Sequence, residues 1–283
     1  MNPKTRRRST ILLILFSMAG LLLWGNTALK RTTIRVSSQN LPDSFDGFRI
    51  AHISDLHNTE FGRNNEKLLS LLRDAKPTII AITGDMIDSR DTKVEIALEF
   101  AREAVTIAPC YYVTGNHESR VPEYRTLKEG LLSLGVSVLE DASARIQRSG
   151  ESITVLGVQD PSFQTSYLFG DANSVMEQKL STLMPEENTF TLLLSHRPEL
   201  FEVYAEAGVD LTLSGHAHGG QFRIPFLGGL VAPNQGFFPE YDAGLYTRGS
   251  TNMVVSRGLG NSIIPLRINN RPEVVLIELD SGT

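Results

Sequence analysis

Five of the six histidines in this 283-residue chain stand in short runs beside Asp, Asn or Gly. The runs are Asp55-Leu56-His57, Gly115-Asn116-His117, Ser195-His196 and Gly215-His216-Ala217-His218, with Gly84-Asp85 between the first two. Imidazole nitrogens gathered with carboxylate and amide oxygens suit Mn, Fe or Zn, whereas calcium prefers an all-oxygen shell. In Asp55-Leu56-His57 and His216-Ala217-His218 an apolar residue separates two donors, and alternation would send both donors to one side. The pattern reads as a metal site with room for two ions. A carboxylate has two oxygens and can bridge two cations, which makes Asp85 the candidate shared ligand, while Asn116 offers a neutral carbonyl oxygen. Two ions roughly 3.5 to 4 Å apart clamp the attacking and leaving oxygens of an in-line displacement.

Each of these residues taken alone has a plainer use: Asp55 as a helix cap, His196 as a polar strand end. The metal reading rests on their joint occurrence. His52, the sixth histidine, reads as a structural residue within a strand. Asp88 and Glu118 read as groups that support ligands, and Gly84, Gly115, Gly215 and Gly219 as tight turns beside the site. Arg197 is expected in a surface ion pair rather than on phosphate. No G-x-S-x-G nucleophile motif is present, which disfavours serine hydrolysis.

Positioning these residues is the task of an α/β framework. Phe48 to Ile53, Thr78 to Ile82 and Cys110 to Val113 read as strands, with helices over Asn65 to Ala75 and Val94 to Val105 between them. This is repeated β-α-β wiring. Asp55 and Asp85 are 30 positions apart and Asp85 and Asn116 are 31 apart, about one such repeat each. Each follows a strand, so all should meet at the rim formed by strand carboxyl ends. Arg145 to Gln147 and Ile153 to Val158 flank a hairpin turn. Phe190 to Leu194, Leu211 to Leu213, Met253 to Val255 and Val274 to Leu279 supply further strands, and Gly219 to Gly249 reads as surface loop.

Composition narrows the function. The single cysteine, Cys110, excludes an intramolecular disulfide framework and any Cys-rich zinc cluster, and its apolar setting predicts a buried thiol. Residues 1–31 hold six basic side chains and no acidic ones, leaving 21 basic against 32 acidic in the rest, a formal charge of −11. Such a body is a poor partner for a long polyanion, so no nucleic acid is expected.

The chain divides into a basic, apolar segment over 1–31 and a catalytic domain over 32–283. After Lys4 and Arg6 to Arg8 an apolar run extends from Ile11 to Trp24 and more weakly to Leu29. Thr10 to Leu29 is just long enough to span a bilayer as a hydrophobic helix, and no good small-x-small cleavage triplet follows it. A retained single-pass anchor in a cytoplasmic membrane is expected, with the domain extracytoplasmic by the excess of basic residues before the run. Export followed by signal cleavage is the alternative.

The five runs, in this order, resemble the motifs of the calcineurin-like metallophosphoesterases over roughly residues 45 to 280. Arg49-Ile50-Ala51-His52-Ile53-Ser54 and Ser256-Arg257-Gly258-Leu259-Gly260 look like a bacterial membrane-associated branch of that family. The resemblance implies a four-layered α/β/β/α sandwich with the site between its sheets. It implies Asp55, His57 and His218 on a first divalent ion, Asn116, His196 and His216 on a second, and Asp85 bridging. His117 would lie near the phosphate as the catalytic residue, stabilising charge or protonating the leaving oxygen, and a bridging hydroxide would attack. The implied activity is hydrolysis of phosphate esters or pyrophosphates. The substrate would be a phosphorylated small molecule or lipid near the membrane. A non-catalytic, metal-dependent phosphate-binding module at the envelope is the alternative.

Overall fold

Two-residue alternation along the buried strands divides the apolar side chains among three cores. In β3 (Ile79–Thr83) Ile80 and Ile82 face one core while Ile79 and Ala81 face a second. In β8 (Thr191–Leu194) Leu192 and Leu194 join that second core and Leu193 a third. Strands apolar on both faces need cover on both faces. The structure, a computed structural model, describes residues 24–164, 171–186, 189–261 and 264–282, with six further positions between 10 and 22.

The first sheet contains β1 (Lys30–Ser37), β2 (Arg49–Ile53), β3, β4 (Cys110–Val113), β5 (Ser137–Val138) and β16 (Glu273–Asp280), in the order β1-β16-β2-β3-β4-β5. Strands β2 to β5 run parallel, whereas β16 is antiparallel to β2. The second sheet contains β6 (Ala142–Arg148), β7 (Glu151–Gly157), β8, β9 (Leu211–Ser214), β14 (Gly244–Arg248) and β15 (Thr251–Val255), in the order β14-β15-β9-β8-β7-β6. Its four central strands are parallel and its two edges antiparallel. Ile50, Val113, Leu192, Leu213 and Ile277 belong to the core between the sheets.

Helices α1 (Glu66–Ala75), α2 (Val94–Ala104) and α3 (Tyr124–Ser133) cover the first sheet with Leu68, Leu72, Phe100 and Leu127. Their buried residues recur at helical spacing: Leu68, Leu72 and Ala75 in α1, and Val94, Ala97, Ala101 and Ala104 in α2. Helices α4 (Ala172–Leu183) and α5 (Phe201–Glu206) cover the second sheet through Met176, Leu180, Phe201 and Tyr204. The layers therefore run helices, sheet, sheet, helices. The β6–β7 hairpin turns on Ser149 and Gly150, both at positive φ, as a two-residue turn matched to sheet twist requires. Cys110 is buried, and burial pushes its thiol up to about 12.

Two expectations change. The segment from Gly219 to Gly249 is not all loop: it holds the small ladders β10 (Arg223–Ile224) with β11 (Gly228–Gly229) and β12 (Val231–Ala232) with β13 (Gly236–Phe237), then β14. Two-residue strands are too short for periodicity to register.

The single-pass membrane anchor is also not upheld. Among the described residues no helix is long and apolar enough to cross a membrane. Much of the run from Ile11 to Leu29 lies outside the described residues, but its end is committed to the domain. Trp24 packs against the Arg271 guanidinium, 4.5 Å from its ring centroid. Arg271 donates to the Ala28 and Leu29 carbonyls at 2.8 and 2.6 Å, and Arg267 N–H donates to Asn26 Oδ1 at 3.1 Å. Strand β1 then begins at Lys30. Counting the span as far as Leu29 included residues that pack on protein, and Thr10 to Leu23 falls short of the roughly 17 to 25 residues a bilayer requires. The extracytoplasmic placement that depended on this anchor loses its basis.

Candidate metal centre

Each candidate ligand run leaves the carboxyl end of a parallel strand: Asp55 after β2, Asp85 after β3, Asn116 after β4, His196 after β8 and His216 after β9. The first three come from one sheet and the last two from the other. The loops are tied across the gap by their own backbones. His216 N–H donates to the Asp55 carboxylate at 3.1 and 3.2 Å, and His117 N–H to Asp85 Oδ1 at 2.8 Å. Asp55 N–H donates to the Gly84 carbonyl at 3.1 Å, and His57 N–H to the Asp85 carbonyl at 3.0 Å.

Asp55, His57 and His218 form one group and Asp85, His196 and His216 a second, the donor atoms in each lying within 4.8 Å of one another. His57 Nε2 faces His218 Nε2 at 3.2 Å, and His218 Nε2 is 3.3 Å from Asp55 Oδ1. Asp85 Oδ2 stands between the groups, 3.6 Å from His57 Nε2 and 3.2 Å from His196 Nε2. Asn116 is buried, and its Oδ1 has no hydrogen-bond partner. His216 and His218 enter different groups, contrary to the alternation read from sequence. The reason is backbone: Asp55, His57, Asp85, His216 and His218 all take positive φ, between 44 and 64°. They sit on left-handed loop residues, not on strands. Each such residue costs roughly 1–2 kcal/mol, and strain of this kind concentrates at functional sites.

Gly115 and Gly215 are required by close approach rather than by positive φ. A Cβ on Gly115 would collide with the Asp85 carboxylate, and one on Gly215 with Ser54 Oγ and the Asp55 carboxylate.

The electrostatics ask for positive charge. Burial lowers His57 to about 4 and holds His216 and His218 well below the usual imidazole range, so their nitrogen lone pairs are available. Burial opposes a cation at His196 too, yet the Asp85 and Asp55 carboxylates raise it to about 10. Burial likewise opposes ionisation of Asp85, but His196 and His57 bring it well below the usual carboxylate range. A cation beside Asp85 and Asp55 would meet the same demand for positive charge and would take His196 as a neutral ring. Neutral imidazoles, two carboxylates and an unpartnered amide oxygen are a donor set that fits Mn, Fe or Zn.

Around these groups stand residues of several kinds. Glu118 is fully buried; it accepts from the N–H groups of Asp85, Met86 and Gly115 at 2.9, 2.8 and 2.8 Å, clasping two of the ligand loops. Asp88 lies 3.6 Å from His117 Nδ1 and 4.0 Å from His57 Nδ1, but the Arg90 guanidinium caps it. His117 Nδ1 accepts the Ser89 N–H at 3.0 Å, which puts the proton of the neutral ring on Nε2. His52 meets Thr83 Oγ1 at 2.8 Å, away from either group.

Arg197 is not a surface residue: 4% exposed, it forks onto buried Asp160 through Nε–Oδ2 at 2.6 Å and Nη2–Oδ1 at 2.9 Å. Its Nη1 lies 3.2 Å from both His216 Nε2 and Asn234 Oδ1. Asn234 Oδ1 is also 3.1 Å from His216 Nε2. Sequence reading missed Ser89, Asp160, Asn234 and Arg267, the last of which is buried and donates to the carbonyls of Arg257, Gly260 and Asn270. None carries a local signal, because each matters only through a partner distant along the chain.

Residues 48–220 match the calcineurin-like phosphoesterase family, and the chain belongs to it. It is 30% identical over 260 residues to the uncharacterized metallophosphoesterase YkuE of Bacillus subtilis, covering 89% of this chain and 86% of that protein. It is 31% identical over 252 residues to the phosphodiesterase YaeI of Escherichia coli, covering 84% of each. A Danio rerio transmembrane protein with metallophosphoesterase domain is 29% identical over 259 residues, 88% of this chain and 57% of that protein. The solved structure of the sulfate thiohydrolase SoxB of Thermus thermophilus superposes with a TM-score of 0.54 at 15% identity, covering 85% of this chain and 58% of that one. At that identity the likeness shows the fold alone.

Proposed function

We propose that this chain hydrolyses phosphate esters or pyrophosphates with two divalent ions, Mn, Fe or Zn. Asp55, His57 and His218 would hold one ion and Asn116, His196 and His216 the other, with Asp85 available to both. The observation that carries the reading is the position of Asp85 Oδ2, within 3.6 Å of a histidine nitrogen from each group. When bound, the ions supply Lewis acidity and a water whose pKa falls toward neutrality.

The chain's own residues supply the rest. His117 presents an Nε2–H to a phosphoryl oxygen while Ser89 holds the ring by Nδ1. Burial lowers the pKa of His117, which supports a neutral hydrogen-bond donor that stabilises developing charge over a proton carrier to the leaving oxygen. Glu118 keeps the Asp85 and Asn116 loops in register through the backbone N–H groups it accepts. The substrate is a phosphorylated small molecule or lipid.

The test is hydrolysis of bis-p-nitrophenyl phosphate and of a panel of monoesters and diphosphates by metal-loaded protein. Turnover that requires metal supports the reading. Binding of phosphate with full metal occupancy and no turnover of any ester or diphosphate would overturn it in favour of a phosphate-binding module.

A further inference from the structure

The segment from Gly219 to Gly249 carries the apolar side chains Phe222, Phe226, Leu227, Phe237 and Phe238, which read from sequence as packing of the loop onto the domain, with receipt of an acyl chain as the alternative. In the structure Phe226 and Phe237 are open to solvent, at 107 and 75% exposure. An apolar hollow lies instead beside the metal centre. It measures about 280 Å³ and is walled by Ala217, Val231, Ala232, Pro233 and Ile264, with His218 also in its lining. Gln221 also lines it, but its amide N–H groups donate to the Ile264 and Leu266 carbonyls, at 2.7 and 2.8 Å. Water enters a cavity readily only where it finds two to four polar partners. This one is many times larger than the roughly 10–15 Å³ that admits one water, and its walls leave water little to bind.

We infer that this hollow is the subsite for an apolar chain carried by the substrate, and that it selects phosphate compounds with an alkyl substituent. The inference rests on the proposed hydrolytic site, because His218, a candidate metal ligand, also lines the hollow. The wall is extended by the β12–β13 hairpin, in which Val231 pairs with Phe237. A chain longer than the hollow therefore meets further apolar surface at Phe237. Burial of each methylene is worth about 0.8 kcal/mol, so affinity should rise about fourfold per carbon until the space is filled.

Two measurements separate this inference from the reading beneath it. Calorimetric titration of metal-loaded protein with methyl-, butyl- and octylphosphonate, whose C–P bond a phosphoesterase does not cleave, reads the subsite without turnover. Butylphosphonate is expected to bind on the order of 60-fold tighter than methylphosphonate, and Ala232→Trp, which fills the hollow, should collapse the octyl-to-methyl ratio. The same series as p-nitrophenyl diesters should show the trend in kcat/KM. Binding that is equal within twofold across the series overturns the subsite, whether or not the esters are hydrolysed. Chain-length-dependent binding without hydrolysis leaves the subsite standing and sinks the hydrolase. Should Ala232→Trp fail to fold, Val231→Trp, on a half-buried position of the same wall, reads the same ratio.

Discussion

Replacing Asp160 with Asn removes the nearer of two carboxylates on Arg197, the other being Glu199 at 3.4 Å, while keeping the side-chain shape. Burial opposes ionisation of Asp160, but Arg197 outweighs it and brings the carboxyl from 3.8 down to about 2. A depressed folded-state pKa adds stability that is complete above the unfolded value and is lost as pH falls from about 4 through 2. The shift corresponds to about 2 kcal/mol at neutral pH. Breaking a buried pair by removing one partner typically costs 3–5 kcal/mol, because a charge is left behind. Asp160→Asn should thus lose roughly 2 to 5 kcal/mol at pH 7, and the carboxylate's share should fall to about half at pH 3. Urea unfolding of both proteins at pH 7, 5 and 3, with chelator present to remove metal linkage, gives the differences directly. A loss below about 0.5 kcal/mol at pH 7, or one that does not shrink by pH 3, would refute the Asp160–Arg197 account.

Other substitutions report on the centre itself. His57→Ala should lower bound metal, read by elemental analysis of purified protein; wild-type stoichiometry in that variant contradicts the ligand assignment. His117→Ala should keep metal and lose on the order of 100-fold or more in kcat, with partial recovery in His117→Gln, whose amide can donate an N–H; equal rates in Ala and Gln variants would remove the donor role. Gly215→Ala, which drives a Cβ into Ser54 and the Asp55 carboxylate, should cost about 1–3 kcal/mol and lower metal affinity, as a thermal melt with and without Mn would show. Loaded protein at a hundred times the metal Kd should be about 2.7 kcal/mol more stable than chelated protein; melts that chelator does not move would count against resident ions.

What could be read from the sequence was local. The β-α-β wiring over residues 48–113 was legible because β3 and α1 bury their residues at periods of two and 3.6, and both periods are written in neighbouring positions. The histidine runs were legible because their chemistry lies within three or four residues. Strand β1 was not, since Lys30 to Ser37 alternates along a mostly exposed edge and gains its identity only by pairing with β16. The membrane span failed for a related reason. Hydropathy counts apolar residues, but Trp24 to Leu29 is held by Arg271 and Arg267, about 240 positions away.

By itself the sequence determined which donor types this protein carries and that they follow strands, because residue identity and short-range period need no fold. Only the tertiary structure decided that two sheets face each other, so that His196 and His216 close a site begun by Asp55 and Asp85. It also decided the left-handed turn at five candidate ligands, the burial of Arg197 on Asp160, and the hollow beside His218. Each of these is a relation between distant segments. Their free energies come from close packing and low-dielectric contact, which exist only once the chain has brought those segments together.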